Sequence, residues 1–340
     1  MRILIATDAW RPQINGVVRT YEKLQEECAK LGHAIEFLTP AGFATFPCPT
    51  YPEIRLALLR RRDAARAISA FAPDWVHVAT EGPIGLATRS YCLSTRRPFT
   101  TSYHTRFPEY LAARFPVPES WGYALERWFH GPSAGTMVAA PSLLRELRGK
   151  GLRRLLQWSR GVDTQLFRPR DVRRFGDGPV FLYVGRVAVE KNLAAFLALE
   201  LPGQKAVVGG GPQLEALRCA YPHVTFTGPL SGEALAEAYA SGDVFVFPSR
   251  TDTYGVVLLE ALASGVPVAA YPVTGPMDVV AQGEVGYLDE DLGKAAMRAL
   301  AIDRRACRDY ALRFSWEQCA RQFLDNISEA YASVRHAHAG

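Results

Sequence analysis

The chain has 340 residues, 48% hydrophobic and 21% charged, with a net charge of +5. That length suggests two domains, because single cores stop growing near ~250–300 residues, and the balance of residue types excludes a disordered chain. No apolar run reaches the roughly 18–20 residues of a membrane-spanning helix, and six cysteines without CxxC or CxxH spacing read as free thiols. The first residues, MRILIATDAW, meet Asp8 too soon for a signal peptide and read as a buried strand, so a cytoplasmic protein is expected. Charge is uneven: residues 1–166 hold 22 basic against 14 acidic residues, a surplus of +8, and the remainder is net −3. The first half is therefore expected to face an anionic partner, a membrane surface or nucleic acid.

Taken in chain order, the first half offers strands at Arg2–Ala6, Ala34–Leu38, Trp75–Ala79, Phe99–Tyr103 and Thr136–Ala140. The second offers Val180–Val184, Lys205–Gly209, Val224–Thr227, Val244–Phe247 and Val268–Ala270. Helical patterns such as Gly16–Leu31 and Glu233–Ala240 lie between them. Near-continuous apolar strands alternating with helices predict α/β architecture: two Rossmann-like, doubly wound domains facing each other across a cleft that takes the ligand. Domain limits of 1–166 and 167–318 are expected, with 319–340 a C-terminal helix crossing back to the first domain. The basic stretch FRPRDVRRFGDG at 167–178 reads as the linker.

Three glycine-bearing turns, INGVV (14–18), GGGPQ (209–213) and TYGVV (253–257), follow predicted strands. Helices that begin at such turns offer free N–H groups and a positive dipole end to an anion, although none is a dinucleotide fingerprint. GRVAVEKN at 185–192 places Arg186 and Lys191 after a strand, where a guanidinium fork and an ammonium suit a diphosphate; a solvated loop is the plain alternative. In SRTDTYGVVLLEAL a helix is expected to start near Tyr254 or Gly255. Asp252 and Glu260 then lie roughly 10–12 Å apart along its axis, with phosphate-binding N–H groups between two acceptors for sugar hydroxyls. An N-cap and a buried ion pair would account for the same two acids.

The acid, seven residues and a Glu resemble the EX7E motif of retaining glycosyltransferases of family 4, which have the GT-B fold. YVGRVAVEKNL, VVGGGPQLEAL, VTFTGPLSGEALAEAYASGDVFVFPS, TDAWRPQINGVVRTY, TEGPIGLATR and TSYHTRFPEY also look like family segments in family order, over roughly residues 1–325. One departure is that Asp252 stands where the motif has Glu. The resemblance implies that Arg186 and Lys191 bind the donor diphosphate and stabilise the leaving group, while Glu260 holds the ribose and Asp252 sits near the donor sugar. It implies backbone donors at Gly16, Thr253, Tyr254 and Gly255, a nucleobase turn at Gly228–Leu230, and reaction-centre roles for Asp8 and His104. Glu81 and Arg106 are acceptor-side candidates, with helix capping an equal reading for Glu81.

No cofactor and no metal is expected beside the nucleotide-sugar co-substrate. The DxD-like Asp289-Glu290-Asp291 reads as a helix cap. The basic amphipathic stretch 54–68, with Arg60, Arg61 and Arg62, and the aromatic run 107–129 suggest a lipid acceptor and an anionic membrane surface, as in bacterial lipid-glycosylating hexosyltransferases. A solvated helix and an aromatic core are the alternatives. The expected activity is metal-independent, retaining transfer of a hexose, from a UDP-sugar rather than GDP-mannose, on the inner membrane face. Other readings are a soluble or polysaccharide acceptor, a nucleotide-sugar 2-epimerase and a non-catalytic nucleotide-sugar binder. Nucleic acid lacks any recognised module.

Overall fold

The computed structural model describes residues 1–13, 16–48, 51–109 and 117–339, the side chains of 51–54 and 335–339 excepted. The chain forms two compact units, Met1–Arg160 with Trp316–Gly340, and Gly161–Ser315.

In the first unit, β1 (Arg2–Ala6), β2 (Ala34–Leu38), β5 (Trp75–Val78), β6 (Phe99–Tyr103), β7 (Gly135–Val138) and β8 (Leu155–Gln157) form one sheet in the order β2-β1-β5-β6-β7-β8. Every pairing in it is parallel. Parallel strands need crossovers that cover both faces, which is why β5, β6 and β7 are buried along their whole length. β3 (Thr45–Cys48) and β4 (Tyr51–Ala57) make a separate antiparallel pair. The sequence reading did not anticipate it, and it corrects the amphipathic stretch 54–68: strand runs to Ala57, and the helix covers only Arg61–Phe71.

The long helix Trp316–Ala339 belongs to this first unit. Its Trp316, Cys319, Phe323 and Ile327 join a core with Ile3, Tyr21, Leu24, Trp75 and Trp158. Side-chain hydrogen bonds fix it: Trp158 Nε1 donates to the Cys319 carbonyl at 3.1 Å and Asn326 Nδ2 to the Gln157 carbonyl at 2.8 Å.

The second unit repeats the design with β9 (Val180–Val184), β10 (Gln204–Val208), β11 (Thr225–Gly228), β12 (Val244–Phe247), β13 (Val268–Ala270) and β14 (Gly286–Leu288), ordered β11-β10-β9-β12-β13-β14. The order reverses at β9, since β10 and β12 flank it on opposite sides, and ligands in doubly wound sheets gather at the carboxyl ends beside such a switch. The stretch 167–178, read as a linker, is instead packed on this unit. Phe167 is buried edge-on against Tyr239, and Arg170, Arg173 and Arg174 pair with Glu233, Asp243 and Glu237. Most of its arginines stay exposed while meeting acids of the second unit, and the division falls at Arg160–Gly161, ahead of residue 166.

Candidate active site

At the carboxyl ends of β9 and β10 the chain turns at Gly185 and Gly209. The two turns interlock: Gly185 N–H donates to the Val208 carbonyl at 3.0 Å and Val187 N–H to the Gly210 carbonyl at 2.9 Å. A Cβ on Gly209 would run into the Gly185 carbonyl, so only glycine permits this approach. Gly209 N–H also donates to the Gly228 carbonyl at 2.9 Å, which seats the turn Gly228–Leu230 beside the first two.

Arg186 follows directly, its carbonyl accepting the Tyr183 hydroxyl at 2.8 Å, and its Nε lies 4.0 Å from Glu190. One turn of 3-10 helix, Val189–Lys191, then delivers the lysine. Lys191 Nζ bonds both carboxylate oxygens of Asp252, at 2.7 and 2.8 Å, with both side chains about four-fifths buried. Asp252 comes from the loop after β12, so the structure brings Arg186, Lys191, Asp252 and the Gly228 turn to one edge of the second sheet.

The helix after Asp252 spans Val256–Ala263 and follows Gly255, which adopts φ +82°, a left-handed conformation that costs glycine little. Thr253 and Tyr254 lie in the turn before it, and Tyr254 is buried. Glu260 sits inside that helix with only 4% of its surface exposed, and Oε2 accepts the Tyr239 hydroxyl at 2.7 Å. A buried carboxylate needs such a donor, because an unpaired one is costly to desolvate. Tyr239 lies 21 residues upstream on another helix, and nothing in the local sequence signals it.

The first unit places its candidates differently. The Asp8 carboxylate accepts the Thr80 hydroxyl (2.8 Å), the Ile84 N–H (2.9 Å) and the Gly85 N–H (3.3 Å), so it anchors the N-terminus of helix Pro83–Ser94. Burial raises its pKa above the usual carboxylate range although these bonds oppose the shift. Glu81 leaves that helix end to Asp8 and turns to His130, whose Nε2 lies 3.4 Å from Glu81 and 3.0 Å from the buried Glu126. Burial pushes the His130 imidazolium towards neutrality, but bonds to Glu126 and Glu81 win and raise its pKa to about 9. Arg106, expected to face an acceptor, is committed to Glu146 through two bonds (3.0 and 2.6 Å) and to Glu109 (2.8 Å). His104 is held by Tyr21 and Arg160. Gly16 opens helix Gly16–Lys30 with open space where a Cβ would stand; Ile14 and Asn15 of the same turn lie outside the described residues.

In the DxD-like segment, Asp291 Oδ1 accepts the Lys294 N–H at 3.0 Å and caps helix Leu292–Ala299. Arg60, Arg61 and Arg62 are exposed at the start of helix Arg61–Phe71. In the aromatic run, helix Glu119–His130 exposes Trp121 (69%), Leu125 (46%) and Trp128 (52%) at positions i, i+4 and i+7, one face of the helix. Residues 110–116 of that run lie outside the described residues.

Two family models match, "Glycosyltransferase Family 4" over residues 14–166 and "Glycosyl transferases group 1" over 178–302. A GDP-mannose-dependent alpha-mannosyltransferase of Mycobacterium tuberculosis is 31% identical over 85% of this chain and 83% of its own length. The chain belongs to the family 4, group 1 glycosyltransferases. The sulfoquinovosyl transferase SQD2 of Arabidopsis thaliana is 32% identical to this glycosyltransferase over 81% of the chain, which spans 60% of the plant protein's length. The alpha-monoglucosyldiacylglycerol synthase of Streptococcus pneumoniae is 27% identical over 97% of the chain and 85% of its own length. Among solved structures, sucrose-phosphate synthase from Thermosynechococcus elongatus superposes with a TM-score of 0.78 at 21% identity, covering 98% of this chain and 99% of that one. The glycosyltransferase thus has the GT-B fold, with two Rossmann-like domains, and its family uses nucleotide-sugar donors.

Proposed function

We propose that this glycosyltransferase moves a hexose, with retained anomeric configuration and without a metal, from a nucleoside diphosphate sugar to the hydroxyl of a membrane lipid. The observation that carries the donor half is the meeting of Arg186, Lys191 and Asp252 at one sheet edge, beside the Gly185, Gly209 and Gly228 turns. Two cations from one short segment flank the place for a diphosphate, and they supply the charge that a metal ion would otherwise bring. Glu260, set by Tyr239, accepts from the ribose hydroxyls, and Asp252 accepts from the sugar. As the glycosidic bond loosens through an oxocarbenium-like state, negative charge grows on the departing diphosphate, where Lys191 and Arg186 act. The acceptor's proton passes to the departing phosphate oxygen. A UDP-sugar is the first donor to test, and the GDP-mannose-dependent relative makes GDP-mannose the second.

The lipid acceptor is supported by the exposed Trp121, Leu125 and Trp128 face and the exposed Arg60–Arg62 cluster, both in the first unit. Amphipathic aromatic rings and arginines suit an anionic lipid–water interface. The diacylglycerol named in the pneumococcal relative agrees with this reading. Among the described residues no helix is long and apolar enough to cross a membrane, so the attachment proposed is peripheral, at the inner membrane face. Incubating the protein with UDP- and GDP-sugars and anionic vesicles carrying diacylglycerol or bacterial lipid extract tests both halves by mass spectrometry. A new hexosyl lipid and a free nucleoside diphosphate are expected. Transfer to water or soluble sugars alone would overturn the acceptor assignment.

A further inference from the structure

His104 lies just beyond β6, at the carboxyl edge of the first sheet, and both of its ring nitrogens are engaged by the protein. Arg160 Nη2 stands 3.2 Å from Nδ1, and Tyr21 Oη stands 2.8 Å from Nε2. A guanidinium carries N–H donors and no acceptor, so Nδ1 must present its lone pair. The one proton of the neutral ring is then on Nε2 and donates to Tyr21. The tyrosine's own hydrogen is turned onward, to His77 Nε2 at 3.0 Å or Ser102 Oγ at 3.3 Å.

Arg160 is itself held in place. Its Nη1 donates to the carbonyls of Trp158 (2.6 Å) and Ser159 (3.0 Å), and its guanidinium lies 4.2 Å over the Trp158 ring. Arg160 is buried, and Trp158 is anchored in turn by the Cys319 carbonyl, so little freedom remains between arginine and imidazole. Tyr21 is equally fixed, fully buried in the core formed with helix Trp316–Ala339. The groups that face the His104 ring are Arg160, Tyr21, His77 and the Trp158 ring, with His130 acting on it through its charge.

We propose that Arg160 is a positioning residue for the reaction centre, which it serves by fixing His104 as the neutral Nε2–H tautomer with that proton given to Tyr21. The proposal rests on the glycosyltransferase reading of His104 above and adds to it. His104 takes no proton from the acceptor. Both of its ring nitrogens are taken up by Tyr21 and Arg160, and the acceptor's proton is left to the departing phosphate oxygen. The three residues lie far apart in the chain, at positions 21, 104 and 160, and only the fold joins them.

The test is nitrogen-15 NMR of the 340-residue protein without added ligand, labelled at histidine, with His104→Gln used to assign the His104 signals. Wild type is expected to show a protonated Nε2 and an unprotonated Nδ1, unchanged between about pH 5.5 and 8.5, the range in which an ordinary histidine titrates. Burial keeps the ring neutral with or without the arginine, but Arg160→Met should release the tautomer, so that Nδ1 carries the proton in part of the population, and Arg160→Lys, which restores a charged donor, should recover part of the lock. Tyr21→Phe removes the acceptor of Nε2–H and leaves the Arg160 bond, so it should keep Nδ1 unprotonated even if the methionine variant does not fold. A wild-type ring protonated on Nδ1, a ring that titrates normally, or a folded Arg160→Met protein with wild-type His104 signals would each overturn the proposal. None of these readings depends on turnover. A locked ring in a protein that transfers no sugar would therefore refute the function proposed above, not the lock.

Discussion

Asp252 is asked to serve two partners, the lysine that it holds and the sugar of the incoming donor. Asp252→Asn separates them. Lys191 forms two bonds to the carboxylate, with both side chains about one-fifth exposed, so the pair is neither a surface pair nor fully buried. A contact of that kind is worth on the order of 1 kcal/mol after solvent screening, above the exposed-pair median and far below the dry-interior limit. A diphosphate that binds Lys191 must give up that energy and also sit near a negative charge. Neutralising Asp252 removes both costs, so a nucleoside diphosphate should bind about 5–10-fold more tightly, as 1.4 kcal/mol is tenfold. The intact sugar donor instead loses a charged acceptor for its hydroxyls, a contact of about 1.5–3 kcal/mol, and its kcat/KM should fall by about 10–150-fold. Calorimetric titration with UDP and GDP, beside steady-state transfer from the matching sugars, reads both effects. If the two constants move in the same direction, or neither changes more than twofold, Asp252 does not stand between lysine and sugar.

Tyr239→Phe leaves the Glu260 carboxylate buried without that hydroxyl bond, and should destabilise the protein by about 1.5–3 kcal/mol and weaken nucleoside diphosphate binding. Urea unfolding and calorimetry check it; unchanged stability would mean that Glu260 draws nothing from the tyrosine. His130 has a folded pKa of about 9, above its ordinary value of 6.5. Its contribution is therefore complete below pH 6.5 and lost as pH rises through 9. Melting temperatures of wild type should fall across that window by more than those of His130→Asn, and parallel curves would contradict the Glu126–His130–Glu81 assignment. Replacing Trp121 by alanine should weaken sedimentation with anionic vesicles severalfold without loss of melting temperature, because its ring is exposed, whereas that of Trp128 also covers the Arg89 guanidinium. Equal binding would remove that face from the membrane account.

Much of this architecture was legible in the residues. Buried parallel strands write near-unbroken apolar runs, so β1, β9 and β12 match their predicted limits. β3 and β4 were missed because a short strand pair away from the main sheets, containing Pro47 and Pro52, leaves no such run. The linker was misread because arginines look alike whether they face water or acids distant in the chain. Arg186, Lys191, Asp252 and Glu260 could be singled out because two short segments carry all four. The partners that set them up were invisible: Tyr239 beneath Glu260, and Tyr21 and Arg160 around His104, come from other elements, and no periodicity records which side chains the sheets bring together. Asp8 shows the converse. An acid after a strand looks like chemistry, and the structure uses it to hold a helix end.

If a diphosphate is held by the cations of the second unit, Lys191→Ala tests it most directly, by transfer of labelled hexose under saturating donor and lipid acceptor. Loss of one preorganised group that stabilises transition-state charge should lower kcat by about 10²–10³-fold, with circular dichroism and melting close to wild type. A folded Lys191→Ala protein that transfers hexose within threefold of the wild-type rate would contradict it.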